Sequence, residues 1–398
     1  MGKIDSHPRT TIANACVADD RLVVAWADGH ESRFHGIWLR HNCTCPICGT
    51  SETAMRALRI DAIPDDIMPQ TVEIDDGGGL HIVWPGDGHI SRYDAPWLRD
   101  NCYSETERSR RRWRPTYWGS EIATDRPQVD FKTARDDDVA RLAFLENLRD
   151  YGFALVNDVP ADPEATADIA ALAGPLRVTN YGSVYDFRYT PTPLVYGDSE
   201  VGLNPHTDEP YRQAPPSITL FHFVKAAARG GESILVDTFR VGQALRDQDP
   251  EAFDLLAHQR VTFHRRLEKQ DRDFRMQAPV YSLDDQGEIA GFRLLDRAVG
   301  PLHIDDALMV PYYRALKKLL VMLFDEANQL RIPVATGQAL FFNNQRVQHG
   351  RTAFDVGSDR YMRTCHVELD EFYSSLRTLS ARLGTDGVNM VLPAGALV

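Results

Sequence analysis

The chain has 398 residues, of which 43% are hydrophobic and 25% charged, an ordinary composition for a globular protein with one large and one smaller domain. A formal net charge of −13 argues against nucleic acid or an anionic membrane surface as the main partner. No apolar run approaches the roughly 20 residues that span a bilayer, and the N-terminus lacks the basic start and apolar core of a secretory signal. We therefore expect a cytoplasmic protein.

Two segments near the N-terminus resemble each other. Residues 21–43 read RLVVAWADGHESRFHGIWLRHNC, and residues 79–102 read GLHIVWPGDGHISRYDAPWLRDNC. Each copy contains an alternating strand, followed by a glycine-containing turn and a second short strand. Each also carries a histidine at that turn, His30 or His89, and ends in Asn-Cys. We predict a small β-rich domain over residues 1–121, built from two related hairpin units.

Three of the six cysteines, Cys43, Cys45 and Cys48, fall within six residues. In a reducing compartment such a cluster more often binds a metal than forms disulfides. A structural Zn²⁺ takes four nitrogen or sulfur ligands in a tetrahedron, so one more ligand is needed. The residues alone leave four candidates for it: His30, His41, His89 and Cys102. We predict a zinc site that stabilises the small domain; a cluster of reduced thiols is the alternative.

The rest of the chain has the pattern of a larger domain rich in β-strands. Residues 122–136 are polar and contain proline, which predicts a linker, and the second domain is expected over 137–398. The spacing of apolar residues predicts helices over 138–151, 163–174, 311–329 and 371–383. Short strands are predicted at 153–156, 217–224, 233–236, 260–263, 289–295 and 339–342. We therefore predict an α+β fold, mainly β, with an antiparallel barrel or jelly roll and flanking helices.

A His-x-Asp pair and a distant histidine are candidate iron ligands. His206 and Asp208 are two residues apart, so in an extended segment their side chains project to the same side. His349 follows the strongly apolar run 339–342. Two histidines and one carboxylate form the facial triad of non-haem Fe(II) oxygenases. The alternative, histidines that are merely packed or solvated, does not account for Arg360 beyond His349, whose guanidinium could hold a carboxylate through two hydrogen bonds.

With these residues identified, the chain resembles the γ-butyrobetaine dioxygenase and trimethyllysine dioxygenase family of Fe(II)/2-oxoglutarate oxygenases. The resemblance covers nearly the whole chain and combines the cysteine loop with the His-Thr-Asp motif. The matching segments are WLRHNCTCPIC at 38–48, Trp84-Pro85 ahead of His89, YWG at 117–119, HTD at 206–208, GGES at 230–233 and HGR at 349–351.

The resemblance implies a double-stranded β-helix and assigns roles to individual residues. It makes His206, Asp208 and His349 the iron ligands, and His89 the fourth zinc ligand. It implies that Arg360 and Ser233 bind 2-oxoglutarate, with Arg351 and Arg363 as competing arginines. It also implies a homodimer.

The family holds a trimethylammonium group in an aromatic cage through cation–π attraction. The matching positions here are Tyr181, Tyr185 and Tyr196, while His366 stands where the family often has another tyrosine. The family's paired asparagines, which bind the substrate carboxylate, fall on Leu295-Asp296, flanked by Arg293 and Arg297; Asn204 is a further candidate. An arginine-rich anion site would suit a more highly charged group such as a phosphonate.

The resemblance therefore predicts hydroxylation of an aliphatic carbon of a small trimethylammonium acid with O₂ and 2-oxoglutarate, giving succinate and CO₂. γ-Butyrobetaine and 2-(trimethylammonio)ethylphosphonate are both candidate substrates. Two alternatives are a Jumonji-type peptide hydroxylase and a non-catalytic protein that binds quaternary ammonium compounds. Because Jumonji-type enzymes often use a lysine to bind 2-oxoglutarate, Arg360 counts against the first. The complete triad counts against the second.

Overall fold

The structure is a computed structural model that describes residues 11–49, 56–86, 88–190 and 198–385. The chain forms two compact units, Met1–Trp113 and Arg114–Val398. None of the described helices is long and apolar enough to cross a membrane.

The N-terminal unit contains two antiparallel three-stranded sheets, each made of two strands from one copy of the internal repeat and one strand that precedes that copy. In the strand Arg21–Trp26 every second side chain is buried, as expected for a strand with one face on a core. The first sheet comprises β1 Ile12–Ala18, β2 Arg21–Trp26 and β3 Glu31–His35, followed by α1 Gly36–His41. The second comprises β4 Thr71–Ile74, β5 Leu80–Val83 and β6 Ile90–Tyr93, followed by α2 Ala95–Asp100 and α3 Glu105–Arg111.

The C-terminal unit contains a six-stranded and a four-stranded sheet, with helices and two hairpins around them. The order of the larger sheet is β7-β8-β18-β11-β20-β9, and that of the smaller is β10-β19-β12-β17. The strands are β7 Gln128–Asp130, β8 Phe153–Asn157, β9 Val184–Arg188, β10 Leu203–His206, β11 Ile218–Lys225, β12 Ser233–Asp237, β13 Val261–Leu267, β14 Arg272–Ala278, β15 Tyr281–Leu283, β16 Ile289–Phe292, β17 Gln329–Ile332, β18 Gln338–Asn343, β19 Val347–Arg351 and β20 Tyr361–Val367. The helices are α4 Phe131–Asp136, α5 Asp138–Tyr151, α6 Thr166–Ala170, α7 Thr238–Gln248, α8 Pro250–His258, α9 Asp306–Leu323 and α10 Leu369–Leu383.

The cores of the C-terminal unit explain why its central strands read as continuous apolar runs. In β8 and β18 the side chains of Phe153, Leu155, Leu340 and Phe342 are fully buried. Strands covered on both faces lose the alternation of a half-exposed strand. A second core, which includes Leu256 of α8 and Leu319 of α9, packs the helices against the hairpins.

The segment predicted as a linker differs from the expectation. Within residues 122–136, β7 pairs in parallel with β8, and α4 buries Phe131 and Ala134. Only the outward side chains of this segment are polar, and they gave it the composition of a linker. The boundary between the compact units accordingly lies earlier, after Trp113.

Two helices also differ in extent from the sequence prediction. The helix expected at 163–174 is shorter, since a single 3₁₀ turn precedes α6. Helix α9 begins at Asp306 rather than Pro311, because Asp305 caps it by accepting a hydrogen bond from the Ala307 amide at 2.9 Å. The helix tolerates Pro311 in its interior, although a proline removes one backbone hydrogen bond there.

Candidate active site

Strand pairing in the smaller sheet brings the two predicted iron-binding histidines together. His206, the last residue of β10, lies opposite His349 of β19, and their ring centroids are 4.4 Å apart. Asp208 follows two residues after β10. Its carboxylate oxygens lie 3.7 Å from His206 Nε2 and 3.6 Å from His349 Nε2. One ligand atom from each of the three residues therefore fits within 4.8 Å of the others.

The surroundings of His206 and His349 leave both rings able to bind a metal. His206 Nδ1 lies 2.9 Å from the carbonyl oxygen of Asn204, which leaves Nε2 for a metal. Burial, and then the proximity of His206, lower the pKa of His349 well below its ordinary value. Phe221 and Phe342 pack against the His349 ring at centroid distances of 5.2 and 4.8 Å. Two imidazole nitrogens and one carboxylate beside an open cavity match the donor set of non-haem Fe(II).

A buried asparagine that the sequence did not identify holds the backbone of Asp208. The amide oxygen of Asn344 accepts a hydrogen bond from the Asp208 N–H at 2.7 Å. Its amide nitrogen donates to the carbonyl oxygen of Asp208 at 3.2 Å and to that of Pro216 at 3.0 Å. On the other side, the Thr207 N–H donates to the carbonyl oxygen of Leu294 at 3.0 Å. These contacts fix the backbone that carries the carboxylate ligand.

Arg360 is one of two buried arginines that line the cavity, the other being Arg351. Its side chain is 5% exposed, and burial, with repulsion from Arg351, lowers its pKa to about 9. Among the described residues, no carboxylate lies within ion-pair distance of its guanidinium, which donates to the sulfur of Met362 at 3.4 Å. Ser233, the first residue of β12, lines the same cavity.

The two competing arginines have other contacts. Arg363 forms ion pairs with Asp186 at 2.9 Å and with Glu164 at 3.6 Å and does not line the cavity. Arg351 lines the cavity, but its guanidinium donates to the carbonyl oxygens of Ser199 and Val201 at 2.7 and 2.8 Å.

The cavity has a volume of about 610 Å³ and contains aromatic groups as well as the triad. Tyr181 and Tyr185 meet edge to face, with ring centroids 5.7 Å apart at an interplanar angle of 70°. The His366 ring lies 5.5 Å from Tyr185, and its Nδ1 lies 3.0 Å from Thr219 Oγ1. Burial lowers the pKa of His366 to about 4, so its ring is neutral near pH 7. Tyr211 also lines the cavity; Tyr196 lies outside the described residues.

The predicted anion-binding residues are only partly brought together. Arg297 lines the cavity, as do three basic residues of β13, namely His264, Arg265 and Arg266. Asn204 and Asp296 are exposed and do not line it. Arg293 is buried, and its guanidinium donates to the carbonyl oxygens of Pro210 and Arg212 at 3.2 and 3.0 Å. That contact supports the loop after the His-Thr-Asp motif. No sequence pattern marked the β13 residues, because β13 and β14 form a hairpin that only tertiary packing brings to the cavity.

In the N-terminal unit, the fourth residue beside the cysteine loop is His89. Its Nε2 lies 3.4 Å from Cys43 Sγ and 3.6 Å from both Cys45 Sγ and Cys48 Sγ. Ligands at about 2.3 Å (sulfur) and 2.0 Å (nitrogen) from a tetrahedral Zn²⁺ are roughly 3.5 Å apart, so the donor set and its spacing fit zinc. The alternative candidates lie elsewhere: His41 contacts Arg56 at 2.9 Å, while His30 and Cys102 are paired with each other at 3.6 Å.

The chain matches two family models and several known proteins over most of its length. Residues 110–366 match the model of the taurine catabolism dioxygenase TauD, TfdA family, and residues 15–99 match that of the γ-butyrobetaine hydroxylase-like N-terminal domain. A γ-butyrobetaine dioxygenase of Pseudomonas sp. (strain AK-1) is 33% identical, with 92% of this chain and 96% of that protein covered. A trimethyllysine dioxygenase of Meyerozyma guilliermondii is 31% identical, covering 91% and 94%. The Homo sapiens γ-butyrobetaine dioxygenase is 27% identical, covering 91% and 95%.

The chain is therefore a 2-oxoglutarate-dependent, Fe(II)-using dioxygenase of the TauD, TfdA family. Within that family it belongs with the γ-butyrobetaine and trimethyllysine dioxygenases, which confirms the prediction made from the motifs.

Proposed function

We propose that the enzyme hydroxylates an aliphatic carbon of a small molecule that carries a trimethylammonium group and an anionic group, with γ-butyrobetaine as the first candidate. O₂ and 2-oxoglutarate are consumed, and succinate and CO₂ are released. The observation that carries the proposal is the content of a single cavity. It holds the His206–Asp208–His349 cluster, the buried Arg360 and the Tyr181–Tyr185 pair.

In this proposal His206, Asp208 and His349 would hold the Fe(II). The bound iron supplies the activation of O₂ that is coupled to oxidation of 2-oxoglutarate. The chain contributes positioning, because Asn344 and Thr207 fix the backbone on both sides of Asp208. Holding the reacting groups in the correct geometry accounts for a large part of the rate acceleration by an enzyme.

Arg360 would bind the distal carboxylate of 2-oxoglutarate, with the Ser233 hydroxyl beside it. A buried guanidinium without a carboxylate in ion-pair distance is costly to desolvate. A carboxylate ligand would supply the missing charge and accept two parallel hydrogen bonds. Arg351 donates to backbone carbonyls and Arg363 forms ion pairs, so Arg360 is the arginine best placed to bind an incoming anion.

Tyr181 and Tyr185 would hold the trimethylammonium group by cation–π attraction, which is strongest where water is excluded. The two rings meet at a steep angle and so present different faces to one bound group. A neutral His366 beside them adds a ring without adding repulsion. Tyr196 retains the cage role predicted from the sequence.

The anionic end of the substrate decides between two candidates. Arg297 and the basic residues of β13 give this cavity more cationic groups than amides, and that observation favours a dianionic group. 2-(Trimethylammonio)ethylphosphonate, hydroxylated by the same chemistry, is therefore the second candidate. Asn204 and Asp296 remain proposed contacts only through a rearrangement of their loops, because neither side chain lines the cavity.

The remaining parts of the proposal concern architecture. We propose that the six-stranded and four-stranded sheets form a double-stranded β-helix. Cys43, Cys45, Cys48 and His89 would hold a structural Zn²⁺. A homodimer and a cytoplasmic location stay predictions from sequence.

The test is succinate formation by the iron-loaded enzyme with each candidate substrate in turn. A matched control is 5,5-dimethylhexanoate, in which carbon replaces the quaternary nitrogen of γ-butyrobetaine. We expect Fe(II)-dependent succinate with a trimethylammonium substrate and much less with the control. Equal turnover of the control would contradict the role of the cage, turnover of peptides alone would support a Jumonji-type hydroxylase, and binding without succinate would indicate a non-catalytic protein.

A further inference from the structure

The zinc site of the N-terminal unit has a counterpart made by the other copy of the internal repeat. The similarity of the two copies continues beyond their Asn-Cys ends. The spacing Cys43-x-Cys45-x-x-Cys48 in the first copy is matched by Cys102-x-Ser104-x-x-Glu107 in the second. The fourth zinc candidate, His89 of the second copy, is matched by His30 of the first.

The hydrogen bonds that shape each copy recur in the other. The indole N–H of Trp26 donates to Ser32 Oγ at 2.9 Å, and that of Trp84 donates to Ser91 Oγ at 2.8 Å. The side-chain amide that precedes each final cysteine donates to a tryptophan carbonyl oxygen at 2.8 Å in both copies. The two repeats therefore share their local structure as well as their sequence.

The contacts around the four matched positions recur as well. Cys102 Sγ lies 3.6 Å from His30 Nε2, compared with 3.4 Å between Cys43 Sγ and His89 Nε2. The Glu107 N–H donates to Ser104 Oγ at 3.3 Å. In the zinc site the Cys48 N–H donates to Cys45 Sγ at the same distance. The Ser104 hydroxyl thus accepts the same type of backbone hydrogen bond that the Cys45 sulfur accepts in the first site.

A buried arginine sits beside each site and faces the last of the four positions. Arg40 is 8% exposed, and its guanidinium donates to Cys48 Sγ at 3.2 Å. Arg99 is 4% exposed and lies 3.5 Å from a Glu107 carboxylate oxygen; it also contacts Asp28 at 2.9 Å. The carboxylate thus occupies the position of the thiolate that the arginine contacts in the zinc site.

Carboxylates surround the arginine of the second site. Arg99 contacts both Glu107 and Asp28, and Glu107 also lies 3.1 Å from Arg110. Because a buried arginine needs a compensating anion, carboxylates supply at Arg99 the negative charge that thiolates would supply at Arg40.

We infer that His30, Cys102, Ser104 and Glu107 form a second metal-type site, in which the Glu107–Arg99 ion pair stands in place of the ion. The His30–Cys102 pair keeps the spacing of two ligands of a tetrahedral thiophilic dication. His30 and Cys102 alone would hold such an ion only weakly. In the native protein the Glu107–Arg99 ion pair occupies the remaining space of the site. Restoring cysteine at positions 104 and 107 completes the ligand set.

The experiment compares the full-length protein with its Ser104→Cys/Glu107→Cys variant after reconstitution with Co²⁺. The thiolate-to-cobalt charge-transfer absorption reports sulfur ligands only, so cobalt in the His206–Asp208–His349 site does not contribute. We expect the absorption per chain to double in the variant. In separate samples reconstituted with Zn²⁺, the zinc content of the cysteine sites should rise from one to two ions. A folded variant with unchanged absorption would overturn the inference.

Three further variants test whether the added thiols bind metal at this site. Adding His30→Ala or Cys102→Ala to the double variant should remove most of the extra absorption, whereas a persistent increase would show that the new thiols bind metal elsewhere. Should the double variant fail to fold, Ser104→Cys alone retains the Glu107–Arg99 pair. It should still raise the thiolate-to-cobalt absorption, by less than twofold, and no rise in this variant would count against the site.

Discussion

The part of the cavity proposed to bind metal and co-substrate differs in construction from the part proposed to bind the anionic end of the substrate. His349 and Ser233 lie on paired strands β19 and β12 and are buried. Arg265, Arg266 and Arg297 reach the cavity from a hairpin and a short 3₁₀ turn, and they are exposed. In a buried sheet, a register slip of one residue would turn every side chain to the other face. Loops and hairpins tolerate change far better.

We therefore propose that the oxidising chemistry depends on strand register through His349 and Ser233, whereas the choice of anionic group depends on Arg265, Arg266 and Arg297, which lie outside the two large sheets. Substitutions in the first part should therefore abolish turnover of every substrate. Those in the second should alter the ranking of substrates.

The largest effect is expected for His206→Ala. Loss of a residue that only orients a metal ligand typically costs roughly 10–100-fold in activity or metal affinity, and loss of a ligand itself should cost more. Succinate formation should disappear with every substrate, and Fe(II) binding should weaken. Normal turnover in this variant would show that the triad is wrongly assigned.

Arg360→Met should mainly weaken 2-oxoglutarate binding. Removing one partner of a buried charge pair costs about 2–5 kcal/mol, so the KM for 2-oxoglutarate should rise by roughly 30-fold or more. Arg363→Met is the matched control, because Arg363 does not line the cavity and is already paired with Asp186 and Glu164. A similar rise in both variants would mean that Arg360 does not bind the co-substrate directly.

Asn344→Ala should lower turnover by roughly 10–100-fold, because Asp208 loses two backbone hydrogen bonds. Its neighbour provides a control: Asn343 Oδ1 accepts from the Gln345 N–H at 2.9 Å. Asn343→Ala should reduce stability with a smaller effect on Fe(II) affinity. Equal loss of Fe(II) affinity in the two variants would show that the hydrogen bonds from Asn344 to the Asp208 backbone do not contribute to metal binding.

Tyr185→Leu tests the cage and should act on the substrate alone. Loss of one cation–π contact costs about 0.5–2 kcal/mol, so the KM for the trimethylammonium substrate should rise by roughly 2–30-fold. The KM for 2-oxoglutarate should stay unchanged. The control is Tyr313→Leu on the exposed side of α9, where the ring is 51% exposed. Equal effects on substrate and co-substrate would contradict the cage.

The smallest effect is expected for Arg297→Gln, since exposed ion pairs contribute about 0.2–1 kcal/mol. The KM should rise by up to roughly fivefold, and more for a phosphonate than for a carboxylate if a dianionic group is bound there. Measuring both substrates with both proteins gives the comparison directly. If the ratio of the KM values for the two substrates is the same in both proteins, Arg297 does not contribute to the choice of anionic group.

The sequence predicted the parts of the site that depend on short spacing or on a family motif. The His-Thr-Asp motif placed His206 and Asp208, and an apolar strand before His349 indicated a buried third ligand. The hydrogen bonds between Asn344 and the Asp208 backbone were not predictable, because they join segments 136 residues apart. Nor was the position of β13, whose approach to the cavity follows from packing.

Composition misled in one place for a physical reason. The segment 122–136 looked like a linker because its exposed side chains outnumber the buried ones. Phe131 and Ala134 nonetheless anchor it, and two apolar residues are too few to produce a visible period. Counting charges in the sequence was also insufficient at Arg293. Its position suggested part of an anion site, but its guanidinium donates hydrogen bonds to backbone carbonyl oxygens.

The cysteine loop of one repeat meets the histidine of the other, and the same exchange occurs between His30 and Cys102. The four proposed zinc ligands therefore come from both halves of the N-terminal unit. If the unit arose by duplication, a symmetric pair of single-copy molecules would have offered two equivalent sets of four donors. After fusion of the copies, one set was free to lose its cysteines while the other kept all four donors.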